Sequence, residues 1–130
     1  MKYRYQILPE QQLVVEWLSG EVTLQDILEK TRILFSDPAF SSDFSGITDT
    51  RGAEAQLTKV ELYAFSDMLK QSQQEGTAPW AIIATDPMLV ALSQVYMRRQ
   101  SVKDLMTVVN TAQAAVDFIG KPTAMRYFRD

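Results

Sequence analysis

The sequence predicts an α/β fold with a mostly parallel sheet, on three observations. The first is the stretch Pro79–Thr85, where Trp80 and Ala81, then Ile82 and Ile83, point to opposite faces of any strand that contains them. A strand apolar on both faces is covered on both, so it lies near the middle of a sheet. The second is the junction that follows it: Asp86 supplies a helix N-cap, and Pro87 suits the first helical turn, where a missing N–H leaves nothing unsatisfied. The third is the order of period-2 and period-3.6 segments, β-β-α-β-α-β-α-β-α, which implies parallel strands joined by right-handed crossovers and an antiparallel edge strand from an opening hairpin. The expected architecture is a five-stranded mixed, mostly parallel sheet with four helices mainly on one face. The tail, loops or a second subunit would cover the other face.

Each element has its own warrant. Tyr3, Tyr5 and Ile7 alternate with Lys2, Arg4 and Gln6, a half-buried strand ending at Leu8. Pro9-Glu10-Gln11 turns the chain into a second strand, Leu13–Leu18, with Leu13, Val15 and Trp17 on one face and Gly20 closing the pair. Thr23 with Asp26 opens the first helix as a capping-box variant, and Leu24, Ile27, Leu28, Thr31 and Leu34 form its apolar stripe. Asp37-Pro38 stops it. Phe40 and Phe44, among serines, are expected to be pinned under the fold.

Ser45–Thr50 is a short strand in which only Ile47 is strongly apolar. Thr58 and Glu61 form a second capping box, opening a helix that runs to about Gln74. On it Val60, Ala64 and Met68 share a face that Leu62, Phe65 and Leu69 widen, and Ser72–Gly76 reads as a solvated end with a glycine cap. Met88–Tyr96 is apolar nearly all round, which implies deep burial or a partner on its outer side. Asp104–Asn110 is the last strand, Thr111 caps the helix Ala112–Ile119, and Gly120 ends it. Residues 1–122 then form one domain. The tail, 123–130, carries Met125, Tyr127 and Phe128 and is expected to pack on the domain or on a partner subunit.

Composition narrows the chemistry. The 130 residues include no cysteine and no histidine, which excludes thiolate chemistry, disulfides, histidine-based triads and Cys/His zinc sites. Thirteen basic against sixteen acidic residues give a net charge of −3, without the basic face that nucleic-acid binding demands. Arg98, Arg99 and Lys103 form the one local basic cluster, where the dipole of a helix C-terminus accounts for them. The first residues carry no apolar signal segment and no run approaches the ~20 apolar residues of a membrane span, so the expectation is a cytoplasmic protein. No Walker A loop, G-x-G-x-x-G or G-x-S-x-G occurs, and no cofactor is expected.

From Tyr3 to Gly120 the chain resembles the SpoIIAA-like branch of the STAS superfamily (sulfate transporter and anti-sigma factor antagonist domains). The likeness lies in the hairpin ending at Gly20, the helix start Thr23-Leu24-Gln25-Asp26, the helix exit Phe35–Phe40 and the strand end Ile47–Gly52. The strand Trp80–Thr85 and the closing Ala114–Ile119 fit as well. The resemblance implies a small non-enzymatic regulator that binds partner proteins, and related CRAL-TRIO-like domains imply apolar ligands. It also implies a phosphoacceptor at the helix start after the third strand, where Thr58 stands. The acidic residue before that position and the glycine after it, which the family's Asp-Ser-x-Gly run carries, are absent here.

Asp49, Arg51, Asp86 and Asn110 fall at C-terminal strand ends, the edge where open α/β sheets usually bind ligands. Two carboxylates there would suit Mg²⁺, but capping explains Asp86 and a turn explains Asp49. The first functional expectation is therefore an interaction module, a homodimer or the receptor of a protein partner, with Tyr63, Phe65, Leu89, Tyr96 and Met97 exposed as its anchors. The second is a carrier of a small apolar ligand such as a fatty acid, held between helices and sheet. A core with no cavity above ~300 Å³ would favour the module. A metal-dependent carboxylate enzyme built on Asp49 and Asp86 is a third.

Overall fold

The computed structural model describes residues 1–72, 77–99 and 103–130. Strand β1 (Lys2–Leu8) turns through a 3-10 segment, Pro9–Gln11, into β2 (Leu13–Val22). Then follow α1 (Leu24–Ser36), β3 (Ser45–Asp49), β4 (Ala53–Ala55), α2 (Lys59–Ser72) and β5 (Trp80–Ile83). The chain closes with α3 (Pro87–Arg99), β6 (Met106–Val109), α4 (Ala112–Ile119) and a 3-10 segment, Pro122–Tyr127. The strand order is β1-β2-β3-β5-β6, antiparallel at β1–β2 and parallel elsewhere, so β5 is interior as its two apolar faces require. The glycine-capped helix end expected after Ser72 lies outside the described residues.

Three crossovers, β2→β3, β3→β5 and β5→β6, step the same way across the sheet. Crossovers of one hand must place α1, α2 and α3 on the same face. Helix α4 follows the last strand and bridges nothing, so it is free to fold back beneath the sheet. There Ala112, Ala115, Val116 and Ile119 meet Val15, Ile47, Ala81 and Ile83 in the main apolar core. Ala124 and Phe128 of the tail are buried in the same core, and the Phe128 ring lies 5.6 Å from that of Trp17. The tail thus packs on its own chain.

Two local features depart from expectation. Gly20, at φ +83°, ends the β1–β2 pairing but not the strand, because β2 continues to Val22 and pairs there with β4. Strand β3 leaves β2 at Asp49, bends through Thr50–Gly52 and rejoins it as β4 at Ala53. Three residues with two alanines gave no strand signal. On α2 the inward face is Phe65 and Leu69 with Ser66, while Val60 and Met68 are 76 % and 43 % exposed. The bulkier set took the interior, reversing the face expected to lead.

The interior of β3 is shaped by one close approach. Gly46 pairs with Trp80 across β3 and β5, and the indole lies so flat over it that a Cβ there would sit 2.4–2.5 Å from three ring carbons. Trp80 cannot swing away without losing the bond from Nε1–H to Thr48 Oγ1, at 2.9 Å. Gly46→Ala is therefore expected to destabilise the protein by about 2 kcal/mol through overpacking. Urea denaturation measures this, and a G46A chain unfolding within ~0.5 kcal/mol of the parent would show the indole to be freely movable.

Candidate functional site

A charged residue lies in the inner row of a central strand. With Leu13 and Val15 on the α4 face of β2, alternation sends Val14, Glu16 and Leu18 to the face beneath α1–α3. Glu16 is wholly buried there. Isolated, a carboxylate so placed costs several kcal/mol in lost hydration, so its partners decide whether it stays charged. It has a full set. Tyr3 Oη donates to Oε2 at 2.6 Å, and Thr48 Oγ1 donates to Oε1 at 2.6 Å. Lys30 Nζ reaches both oxygens, at 3.3 and 3.2 Å.

Neighbouring elements fix each partner. Thr48 stands beside Glu16 in the parallel β2–β3 register. Tyr3 pairs with Leu18 on the antiparallel side, two places from Glu16, and stacks on Tyr5 with ring centroids 5.5 Å apart. Lys30 comes from the inner arc of α1, between Ile27 and Leu34, with Nζ 5.9 Å from the centre of the Tyr3 ring. Burial, then the charge of Glu16, push the Tyr3 hydroxyl far above its ordinary value, so it serves only as a neutral donor. Trp80 completes the chain of bonds: indole N–H to Thr48, Thr48 O–H to Glu16.

Above this polar floor a cavity of about 260 Å³ separates the sheet from α1, α2 and α3. Ile27 and Leu34 of α1, Phe65 and Leu69 of α2, and Leu92 and Tyr96 of α3 supply much of its wall. Phe35 and Phe40, with ring centroids 5.1 Å apart, close one side. Glu16 and Lys30 are the charged residues among the described lining, and they neutralise each other.

The residues singled out from sequence are distributed differently. Phe65, expected exposed, is buried, and its ring lies 6.0 Å from that of half-buried Tyr96. Leu89 is also half-buried and, with both aromatics, lines the cavity instead of an outer contact. Tyr63 and Met97, also expected exposed, are both half-buried, and the Arg99 guanidinium lies 4.2 Å from the Tyr63 ring. Arg99 also pairs with Asp67, so it ties α3 to α2. Thr58 is exposed, with its hydroxyl accepting from the Glu61 N–H at 3.2 Å in the expected capping box. Asp86 caps α3 by accepting from the Leu89 N–H at 3.1 Å. Asn110 is exposed beside a shallow depression formed with Thr85, Pro87 and Val90.

At the same strand edge Asp49 is held two-pronged by Arg51, at 3.0 and 2.8 Å, and Arg51 also reaches Asp130 at 3.4 Å. The Asp130 carboxylate accepts the Ala112 N–H and, at 2.9 Å, the Gln113 N–H, capping α4. Among the described residues, no three acidic side chains come together in a way that would hold a metal. No described helix is long and apolar enough to cross a membrane.

No known family profile matches the sequence, and no curated protein sequence does. Solved structures are more informative. An uncharacterized protein of the DUF3478 family from Shewanella loihica PV-4, described as having a SpoIIAA-like fold, superposes with a TM-score of 0.60. The match covers 90 % of this chain and 93 % of that one, at 14 % sequence identity. The fold is SpoIIAA-like. At that identity the likeness concerns architecture alone, and the SpoIIAA-like scaffold leaves the contents of the cavity to this chain's own side chains.

Sequence reasoning missed Glu16, Lys30, Tyr3 and Thr48 as a group. A signal was present: Glu16 lies between Val14 and Leu18, so its face of β2 is apolar on either side of it. Removing Lys30 alone leaves Glu16 buried without its cation, and Lys30→Met is expected to cost about 3 kcal/mol. The pair K30M/E16Q should recover most of that in urea denaturation. Equal losses in the single and double variants would mean that the ion pair contributes nothing specific.

A second expectation concerns α4. The helix N–H groups, and then Arg51, hold the Asp130 carboxyl below the usual carboxylate range. A folded-state value below the unfolded one stabilises above the ordinary aspartate range and stops doing so as pH falls through the folded value. Asp130→Asn should lower the thermal midpoint at neutral pH, with the gap to the parent closing as pH falls below the ordinary aspartate range. A gap independent of pH would remove the charge from the explanation.

Proposed function

We propose that this chain is a binding protein that holds a small, mainly apolar molecule between α1–α3 and the sheet. The observation that carries the reading is the apolar cavity of about 260 Å³ over a single neutralised ion pair. Protein interiors are otherwise close-packed, and unfilled apolar space costs dispersion contacts along its walls. A buried ion pair is likewise rarely the most stable choice, since apolar residues of similar volume often serve as well or better. Both features run against stability, and a ligand site accounts for both.

The volume limits the occupant. It lies under the ~300 Å³ below which size alone would favour an interaction module, yet exceeds the ~150 Å³ that suffices for benzene, and the buried ion pair at its floor is what turns the reading to a small ligand. A one-ring or short-chain molecule fits; a long-chain fatty acid does not fit whole, which narrows the carrier expected from sequence. Binding without turnover suits the floor, because both Glu16 oxygens already accept two hydrogen bonds each and no open base faces the cavity among the described residues.

Toluene titrated into labelled protein is expected to shift the methyl signals of Ile27, Leu34 and Leu92 while leaving those of Val15 and Ile47, on the α4 face, in place. Thr31→Trp, which fills the cavity from α1, should abolish the response in a folded chain. Uniform or absent shifts would count against the reading, as would identical responses from the variant.

A second reading, contact with a protein partner or another copy of the chain, rests on the outer side of α2. Val60, Ala64 and Met68 recur there at four-residue spacing, all exposed. Light scattering distinguishes it: Val60→Asp and Met68→Asp should both reduce an assembled mass. A parent chain that is monomeric at micromolar concentration would leave self-association without support.

A further inference from the structure

The hydrogen-bonding groups on the cavity floor can be counted, and the count selects among apolar molecules. Glu16 Oε1 accepts from Thr48 and Lys30, and Oε2 from Tyr3 and Lys30, which occupies the lone-pair sites of a carboxylate. The Tyr3 and Thr48 hydroxyl protons and the Trp80 indole N–H are each committed within the cluster. Thr50, also at the wall, donates to the Ile83 carbonyl at 2.7 Å. Lys30 is different. An ammonium has three N–H donors, and Nζ meets two Glu16 oxygens and the face of Tyr3, which leaves one N–H without an oxygen acceptor. Its side chain is only 16 % exposed and lines the cavity, so a guest there lies within that donor's reach.

We infer that the site selects apolar molecules carrying one neutral hydrogen-bond acceptor, such as a ketone, ester or ether oxygen, which seats on Lys30 Nζ. This rests on the ligand-site reading above and adds the chemical class of the guest. Net charge decides against the alternatives. With Glu16 and Lys30 cancelling, a carboxylate guest would bring an unbalanced negative charge close to Glu16, and an ammonium guest would face Lys30 with every carboxylate lone pair taken. A pure hydrocarbon would offer that Lys30 N–H no acceptor. Thr31, Ser93 and Tyr96 at the wall add neutral hydroxyls from helices, and those of Thr31 and Ser93 commonly turn back to the preceding turn's carbonyl.

Four probes of similar size separate these cases: acetophenone, ethylbenzene, benzoate and benzylammonium, each titrated by protein NMR. The parent chain is expected to bind acetophenone at least as tightly as ethylbenzene, although leaving water costs the ketone more. Benzoate and benzylammonium should bind at least about tenfold more weakly than acetophenone. In K30M/E16Q the acetophenone-to-ethylbenzene affinity ratio should fall about fivefold, since a charged donor has been lost. Ethylbenzene clearly preferred by the parent, or a ratio unchanged in a folded double variant, would overturn the acceptor rule and leave the cavity reading intact. Benzoate bound more tightly than acetophenone would overturn it too, in favour of an anion site. If none of the four binds, the cavity reading fails and the acceptor rule with it. Should the double variant not fold, the parent's ranking of the four probes decides.

Discussion

The carboxylate of Glu16 is the constraint to which the helical side of this protein is fitted. A charge in the inner row of β2 needs donors from every direction that the backbone leaves open, and each neighbour supplies one: Tyr3 from β1, Thr48 from β3 and Lys30 from α1. Two of those donors are set by strand register, so they come with the sheet. The third requires α1 to lie with its Lys30 arc over β2, and that orientation turns Ile27 and Leu34 to the same space. The pose of the first crossover helix is thus an electrostatic requirement as much as an apolar one.

The two faces of the sheet answer different demands. Under α4, small residues meet small residues: Ala112 and Ala115 approach Ala81, and Val15, Ile47 and Ile83 fill what remains, with the tail's Phe128 sealing the edge. Its rows also take in Ser45 beside Leu13, Asp49 beside Trp17 and Thr107 beside Ala81. On the opposite face the row above Glu16 runs Val14, Gly46, Trp80 and Met106 across four strands. Gly46 lets the indole lie flat, so the largest side chain of the row lies over its neighbour instead of rising into the helices. A tightly filled side carries the stability that a hollow side gives up.

The parts of the fold legible in the sequence were those set by neighbours in the chain. The two faces of Trp80–Ile83, the Asp86-Pro87 start and the Thr58–Glu61 box depend on residues a few places apart, and each stands where local chemistry puts it. What the sequence hid depends on tertiary choice. Strand β4 exists because the tail end of β2 offers it hydrogen bonds, and no propensity of Ala53-Glu54-Ala55 announces that. The apolar arc of α2 is wide enough to present either of two faces, and volume decides in favour of Phe65 and Leu69. Glu16 looked like the polar half of an alternating strand. That pattern holds only when one face meets water, and β2 has none that does.

The same error of face explains why the functional expectation moved. Phe65, Leu89 and Tyr96 suggested an outer contact surface because an apolar helix has to be covered by something, and a partner was the nearest candidate. In the folded chain they are covered by one another and by empty space, which changes the meaning of the same residues from docking anchors to cavity wall. An apolar wall alone would be indifferent to what fills it. The Lys30 ammonium, held by Glu16 but with donor capacity to spare, gives the space a direction and a polarity. On the proposed reading, a molecule that enters would be sorted by whether it can answer that one N–H without bringing a charge of its own.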